Sequence, residues 1–180
     1  MAISIAWGQK AGTTLVDECI RVCKSLCWLP TYQESVSDLL TCIAFETGHS
    51  FRSDIVNAAG SGAVGLIQFL PATAKKMGTT VDALRGMNIQ SQMDYVGQYF
   101  TPYRNRIKNL HDMYMGIFYP KGIGKDDSFV VFKEGGKGYL ENAGFDTSHT
   151  GTITRADICI RIDHTRERGK KFAITRESLD

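Results

Sequence analysis

Apolar residues recur along this chain at helical spacing, in short runs set off by glycine and proline. From Thr14 to about Trp28 they include Val16, Cys19, Cys23 and Leu26, which share one face of a helix, and Pro30 follows two residues later. A second run, from Ser35 to about Thr47, places Leu39, Cys42 and Ile43 on one side, with Gly48 positioned to end it. Residues 57–65 (NAAGSGAVG) read as a loop or short hairpin. Pro71 opens a short helix and Gly78 closes it. Thr79 and Asp82 resemble a capping pair for a helix through about Arg85. Further helices are predicted from Gln90 to Phe100, from Leu110 to Tyr119, and from the capping pair Thr154 and Asp157 to about His164. The stretch from Phe129 to Phe132 fits a strand or a helix turn equally well. The pattern predicts a mainly α fold with a small loop or hairpin segment. Residues 1–165 form one domain in this reading, and 166–180 a basic, flexible tail.

Length and composition narrow the classes. The chain has 180 residues, 43% of them hydrophobic and 22% charged, which suits one globular domain with a sizeable core. No apolar run is long enough to span a membrane. The first residues lack the charged and apolar regions of a secretory signal. Acidic and basic side chains cancel through Ile160, and the net charge of +2 sits beyond it. A neutral body with a basic tail is not a nucleic-acid footprint, although it suits an anionic polymer such as a cell wall weakly. Five cysteines cannot all pair. Cys19, Cys23 and Cys27 repeat every four residues. They could offer thiolates to a metal, but the spacing equally describes small apolar residues on a buried face.

The residue that carries chemistry is Glu46. It lies three, four and seven positions after Ile43, Cys42 and Leu39, so it shares their apolar face at the end of a helix. Burial there disfavours the charged form, and the C-terminal helix dipole acts in the same direction. A carboxyl still protonated near neutral pH is what a general acid requires. The competing reading is a last-turn glutamate that reaches solvent. Downstream, glycines at 60, 62 and 65 let backbone approach a ligand, and Gln68 can both donate and accept hydrogen bonds.

Three short stretches resemble the motifs of lysozyme-like lytic transglycosylases, especially the endolysin and tail-lysozyme branch of bacteriophages and prophages. Glu46-Thr47 matches the glutamate and small hydroxyl residue at a helix end, with threonine for the commoner serine. Gly65-Leu66-Ile67-Gln68 matches Gly-Leu-Met-Gln with isoleucine for methionine. Tyr119-Pro120 is the counterpart of the tyrosine and asparagine of an Ala-Tyr-Asn motif, with proline in place of asparagine. The resemblance covers roughly residues 5–165. It implies a two-lobed, lysozyme-like helical fold that acts as a monomer, without cofactor or metal, on the glycan strands of peptidoglycan. The bond cut would be the β-1,4 link between N-acetylmuramic acid and N-acetylglucosamine. Glu46 would be the catalytic acid and base, while Thr47, Gln68, Phe69 and Tyr119 would position it and the substrate. The family route ends in a 1,6-anhydro sugar. A hydrolytic lysozyme, with Asp54 as the nearest second carboxylate, and a non-catalytic wall-binding virion protein are the alternatives. The resemblance also implies synthesis in a bacterial host's cytoplasm. Action on the periplasmic wall would follow holin-type release or delivery in a virion.

Other patterns are weaker. Residues 146–157 have the outline of a calcium loop, with Asp146, Gly151 and Asp157 in place, but Ser148 and Thr150 replace two expected carboxylates, so a structural turn is predicted. Glycine-rich stretches at 121–125 and 135–138 lack a phosphate-loop pattern. Tyr99, Phe100 and Tyr103 either line a sugar groove or pack one helix face.

Overall fold

A computed structural model describes residues 2–179. The fold is mainly helical. Its helices are α1 (Gly8–Ser25), α2 (Ser35–Glu46), α3 (Pro71–Lys76), α4 (Val81–Arg85), α5 (Ile89–Phe100), α6 (Leu110–Phe118), α7 (Lys137–Asn142) and α8 (Arg155–Lys170). The strands β1 (Ile3–Ile5) and β4 (Ile174–Arg176) form one antiparallel pair, and β2 (Val130–Lys133) and β3 (Thr152–Thr154) another. The stretch that periodicity left open at Phe129–Phe132 is therefore mostly strand.

Helix α2 is the axis of the molecule. It packs on α1, α6 and α8 together, and every residue from Ser35 to Ala44 is buried. Of its buried polar members, Ser37, Asp38 and Thr41 are given partners, as burial requires, while the Ser35 hydroxyl has none among the described residues. The Ser37 hydroxyl accepts from the Ala6 amide at 3.1 Å, and Thr41 donates to the Ser37 carbonyl at 2.7 Å. The Asp38 carboxylate accepts from the Tyr32 hydroxyl, and from Arg166 Nε at 3.0 Å. The core then continues from Ile5 through Leu39, Leu66 and Phe100 to Ile162 and Leu179 as one connected cluster.

Several boundaries move for local reasons. One extra turn precedes the helix expected from Thr14, set off by a non-helical Gly12, and the helix stops at Ser25. Cys27 consequently lies past its end, at positive φ and exposed, while Cys19 and Cys23 are buried, so the three thiols do not share a face. All five cysteines are free, and no metal-holding cluster of acidic, histidine or cysteine residues exists among the described residues. The cap of α4 is Thr80, which accepts from the Ala83 amide, rather than Thr79. The Thr154–Asp157 capping box forms as expected, but α8 runs six residues past His164.

The expected flexible tail is ordered through Leu179; Asp180 lies outside the described residues. Arg166 bridges to Glu34 and Asp38, and β4 pairs with β1 in the register Ile5↔Ile174. The Trp7 amide donates to the Gly169 carbonyl at 3.0 Å, and the Trp7 ring stacks on Phe172 at 5.6 Å. Charge density made this segment look solvated. Its apolar residues are few, but the chain's opening strand supplies a surface to bury them.

At Arg155 the start of α8 is tied to the rest. Its guanidinium meets Asp112 of α6 at 3.0 Å and Asp127 at 2.9 Å. The calcium-like loop uses its carboxylates on itself. Asp146 accepts from the amides of Thr150 and Gly151 and from the Tyr139 hydroxyl, and Asp157 closes the α8 cap.

Gly169 tests the tail's docking. A methyl group there would collide with the indole of Trp7. Gly169→Ala should therefore destabilise the protein by about 2 kcal/mol in a thermal melt, although alanine favours helix more than glycine does. A neutral or stabilising result would mean that the α8 end does not press on Trp7.

Candidate active site

Glu46 is the last residue of α2, where the chain leaves the core. The exit is closed by a Schellman turn: the His49 amide donates to the Ala44 carbonyl at 2.7 Å and the Gly48 amide to the Phe45 carbonyl at 3.3 Å, with Gly48 at φ 58. Thr47 completes the turn. Its hydroxyl donates to the Ile43 carbonyl at 2.7 Å and accepts from the Phe51 amide at 3.1 Å. That corrects the expectation that Thr47 orients Glu46 by its hydroxyl, because both functions of the hydroxyl are taken by backbone. Behind the turn, Trp7 stacks on His49 at 5.1 Å.

The Glu46 side chain is only partly open to solvent. Burial pushes its carboxyl up to about pKa 7, offset in part by a hydrogen bond donated by the Tyr114 hydroxyl. Tyr114 is itself buried, and burial and the nearby Glu46 raise its phenol. Its ring meets Phe45 edge-on at 5.2 Å and stacks on Phe118 at 5.9 Å. Tyr99 is the next ring within reach of the Glu46 charge. Its hydroxyl donates to the Gly116 carbonyl at 2.7 Å.

Tyr114 takes the place beside Glu46 that was expected of Tyr119. Tyr119 lies just past the end of α6, half-buried, with its ring edge-on to Phe132 at 5.6 Å. The signal for Tyr114 was present. It stands four residues after Leu110 and four before Phe118, hence on a buried face, and a buried tyrosine hydroxyl needs a partner.

Residues 55–69 form a tight loop. Val64 bridges to both Val56 and Phe69, and the Gly65 amide donates to the Ile55 carbonyl at 2.9 Å. Gly65 is required twice: its φ is +84, and a side chain there would strike Gln92. Gln92, fully buried, accepts from the Leu66 amide at 2.7 Å and donates to the carbonyls of Ser53 at 2.9 Å and Leu84 at 2.8 Å. It joins this loop to α4 and α5, and the sequence reading missed it. Gln68, at φ 53, turns its amide nitrogen onto the Gly65 carbonyl at 3.1 Å, which leaves the group half-exposed on the loop surface. Phe69 is buried against Tyr99, with ring centroids 6.2 Å apart, so it is a packing residue rather than a substrate contact.

Asp54 is gripped on both oxygens by Arg52, at 2.8 and 2.7 Å, and this pairing holds its carboxyl below the usual range. Two carboxyls that flank one loop are thus driven apart, one toward neutrality and one toward permanent charge. At the other end of α2 burial raises the Asp38 carboxyl as well, but there the Tyr32 hydroxyl and the Arg166 guanidinium act in favour of the charged form. Neither family models nor curated proteins nor solved structures yield a match to this chain.

The raised Glu46 pKa has a stability consequence of definite sign. The folded protein holds this proton more tightly than the unfolded chain, so stability falls as pH rises from about 4.5 to about 7. Glu46→Gln should match the native protein near pH 4 and exceed it near pH 8 by roughly 2 kcal/mol. Denaturant melts at the two pH values would show it. Equal stability at the higher pH would mean that Glu46 ionises there without penalty.

Proposed function

We propose that the chain is a peptidoglycan-cleaving glycosidase of lysozyme-like fold, with Glu46 as general acid and then base. One observation carries the reading: a single carboxyl at a helix exit, held near pKa 7 by burial and touched by one tyrosine hydroxyl. Near neutral pH about half of such groups carry the proton that a leaving glycosidic oxygen needs.

The glycan would lie with the β-1,4 bond between N-acetylmuramic acid and N-acetylglucosamine against Glu46. The acid gives its proton to the bridging oxygen as the bond to the muramic C1 breaks, through an oxocarbenium-like state. Hydrolysis would then require a second carboxylate, about 5 Å from the first for retention or about 6.5–9.5 Å for inversion. Asp54 is the one other acidic side chain between Glu46 and Gln68, and it is occupied by Arg52. Its engagement favours a route in which the sugar's own 6-hydroxyl attacks C1 and closes a 1,6-anhydro ring. Glu46, now a carboxylate, takes the hydroxyl proton and returns to its starting state. Proximity within the bound sugar replaces the missing catalytic group. Tyr114 holds the carboxyl in place through both protonation states, and Gln68 presents its amide to the substrate.

Three outcomes follow. Glu46→Gln should retain the fold and lose activity by about a hundredfold or more, read as turbidity of outer-membrane-permeabilised cells. Retention of more than about a tenth of the activity would remove Glu46 from the acid role. In the native enzyme the rate should fall as pH rises through about 7, since the protonated carboxyl disappears there. Digested muropeptides should be about 20 mass units lighter than borohydride-reduced hydrolysis products, because the anhydro end lacks water and cannot be reduced. Products that all carry reducible ends would instead identify a hydrolytic lysozyme.

A further inference from the structure

A groove of about 590 Å³ runs between α3 and the ends of α5 and α6. It adjoins the candidate acid through two rings. Phe118, on its wall, stacks at 5.9 Å on Tyr114, whose phenol lies in the field of Glu46, and Tyr99, also on the wall, lies in that field too. The remaining surface is chiefly apolar, with Leu70, Met77 and Ile117 prominent. Lys76 is the one charged side chain among the lining residues. It is exposed and enters no ion pair with any described residue.

The groove has no side-chain carboxylate and a single side-chain amide, Gln98, so it lacks the paired groups that grip neighbouring sugar oxygens, and its aromatic wall of Tyr99, Tyr103 and Phe118 offers apolar contact instead. It suits a short chain of methyl groups and amides that ends in a negative charge. Peptidoglycan carries such a chain: the lactyl group of each muramic acid, its methyl, the alanine methyl of the stem peptide, and then free carboxylates.

We infer that this groove holds the stem peptide of the muramic acid beside the cleaved bond, with the Lys76 ammonium on a stem carboxylate. Lys76 thereby makes the enzyme prefer peptide-bearing over bare glycan. The inference rests on the peptidoglycan reading above. The charge pair is at the surface, so its effect is modest and weakens with salt.

The test compares intact sacculi with glycan strands stripped of peptide by an amidase, which leaves only the lactyl carboxylate. Native protein, Lys76→Gln, Lys76→Glu and the control Lys75→Gln, on the same helix but outside the groove, are assayed on both substrates. On intact sacculi, kcat/KM should fall about threefold for Lys76→Gln and about tenfold for Lys76→Glu, with Lys75→Gln unchanged. On stripped strands all four proteins should be equal, and native activity should already be reduced. Equal losses for the Lys76 variants on both substrates would show that Lys76 acts independently of the stem peptide and overturn the stem-peptide assignment. Lys76 variants that match native protein on intact sacculi would overturn it too, with the glycosidase reading intact. Native protein inactive on both substrates would overturn the glycosidase reading, and this inference with it.

Discussion

The burial of α2 on every side is the constraint from which the rest follows. A helix with no solvent face must find internal partners for each polar side chain, or lose on the order of 1–3 kcal/mol per unsatisfied group. Ser37, Asp38 and Thr41 find theirs on Ala6 just after β1, on α8 and on the helix itself. Glu46 is the last residue of this enclosed helix, and enclosure is what keeps its proton near neutral pH. The acid is thus a by-product of how the core is built. A more exposed α2 would leave Glu46 an ordinary carboxylate.

Enclosing α2 takes both ends of the chain. The opening strand pairs with the closing one, and α8 covers a flank that α1 and α6 leave open. The same junction reaches the site. Trp7 is stacked between Phe172 of the closing segment and His49 of the turn that follows Glu46. The exit of α2 is therefore supported from behind by Trp7 and, through it, by Phe172, more than a hundred positions along the chain. On the other side Gln92 fixes the 55–69 loop by its backbone, so Gln68 is held on a rigid support although its own segment contains little regular structure.

Although α7 and the caps Thr80, Asn88 and Asn109 were not read, the longer helices, some of their ends and Glu46 itself were legible in the sequence, because they depend on spacing within a dozen residues. The second helix, the Gly48 stop and the Thr154–Asp157 cap all belong to this class. Errors arose where a residue's partner lies far away in the chain. The basic tail looked solvated because pairing with β1 and with Asp38 has no local signature. Phe69 and Thr47 sit in motifs that suggested substrate contact, yet a ring over Tyr99 and two backbone bonds absorb them.

The sequence by itself determined a mainly helical chain, the position of one carboxyl on an apolar helix face, and a glycine-rich loop or hairpin at residues 57–65. Short-range sterics and periodicity are enough for each. Only the tertiary structure decided that Tyr114 rather than Tyr119 meets Glu46, that Asp54 is bound to Arg52, and that α3, α5 and α6 enclose a groove with one cation. Those are relations between surfaces that meet only when the core closes. Burial, which sets the proton affinity of Glu46, is a property of the whole packed molecule and of no local stretch.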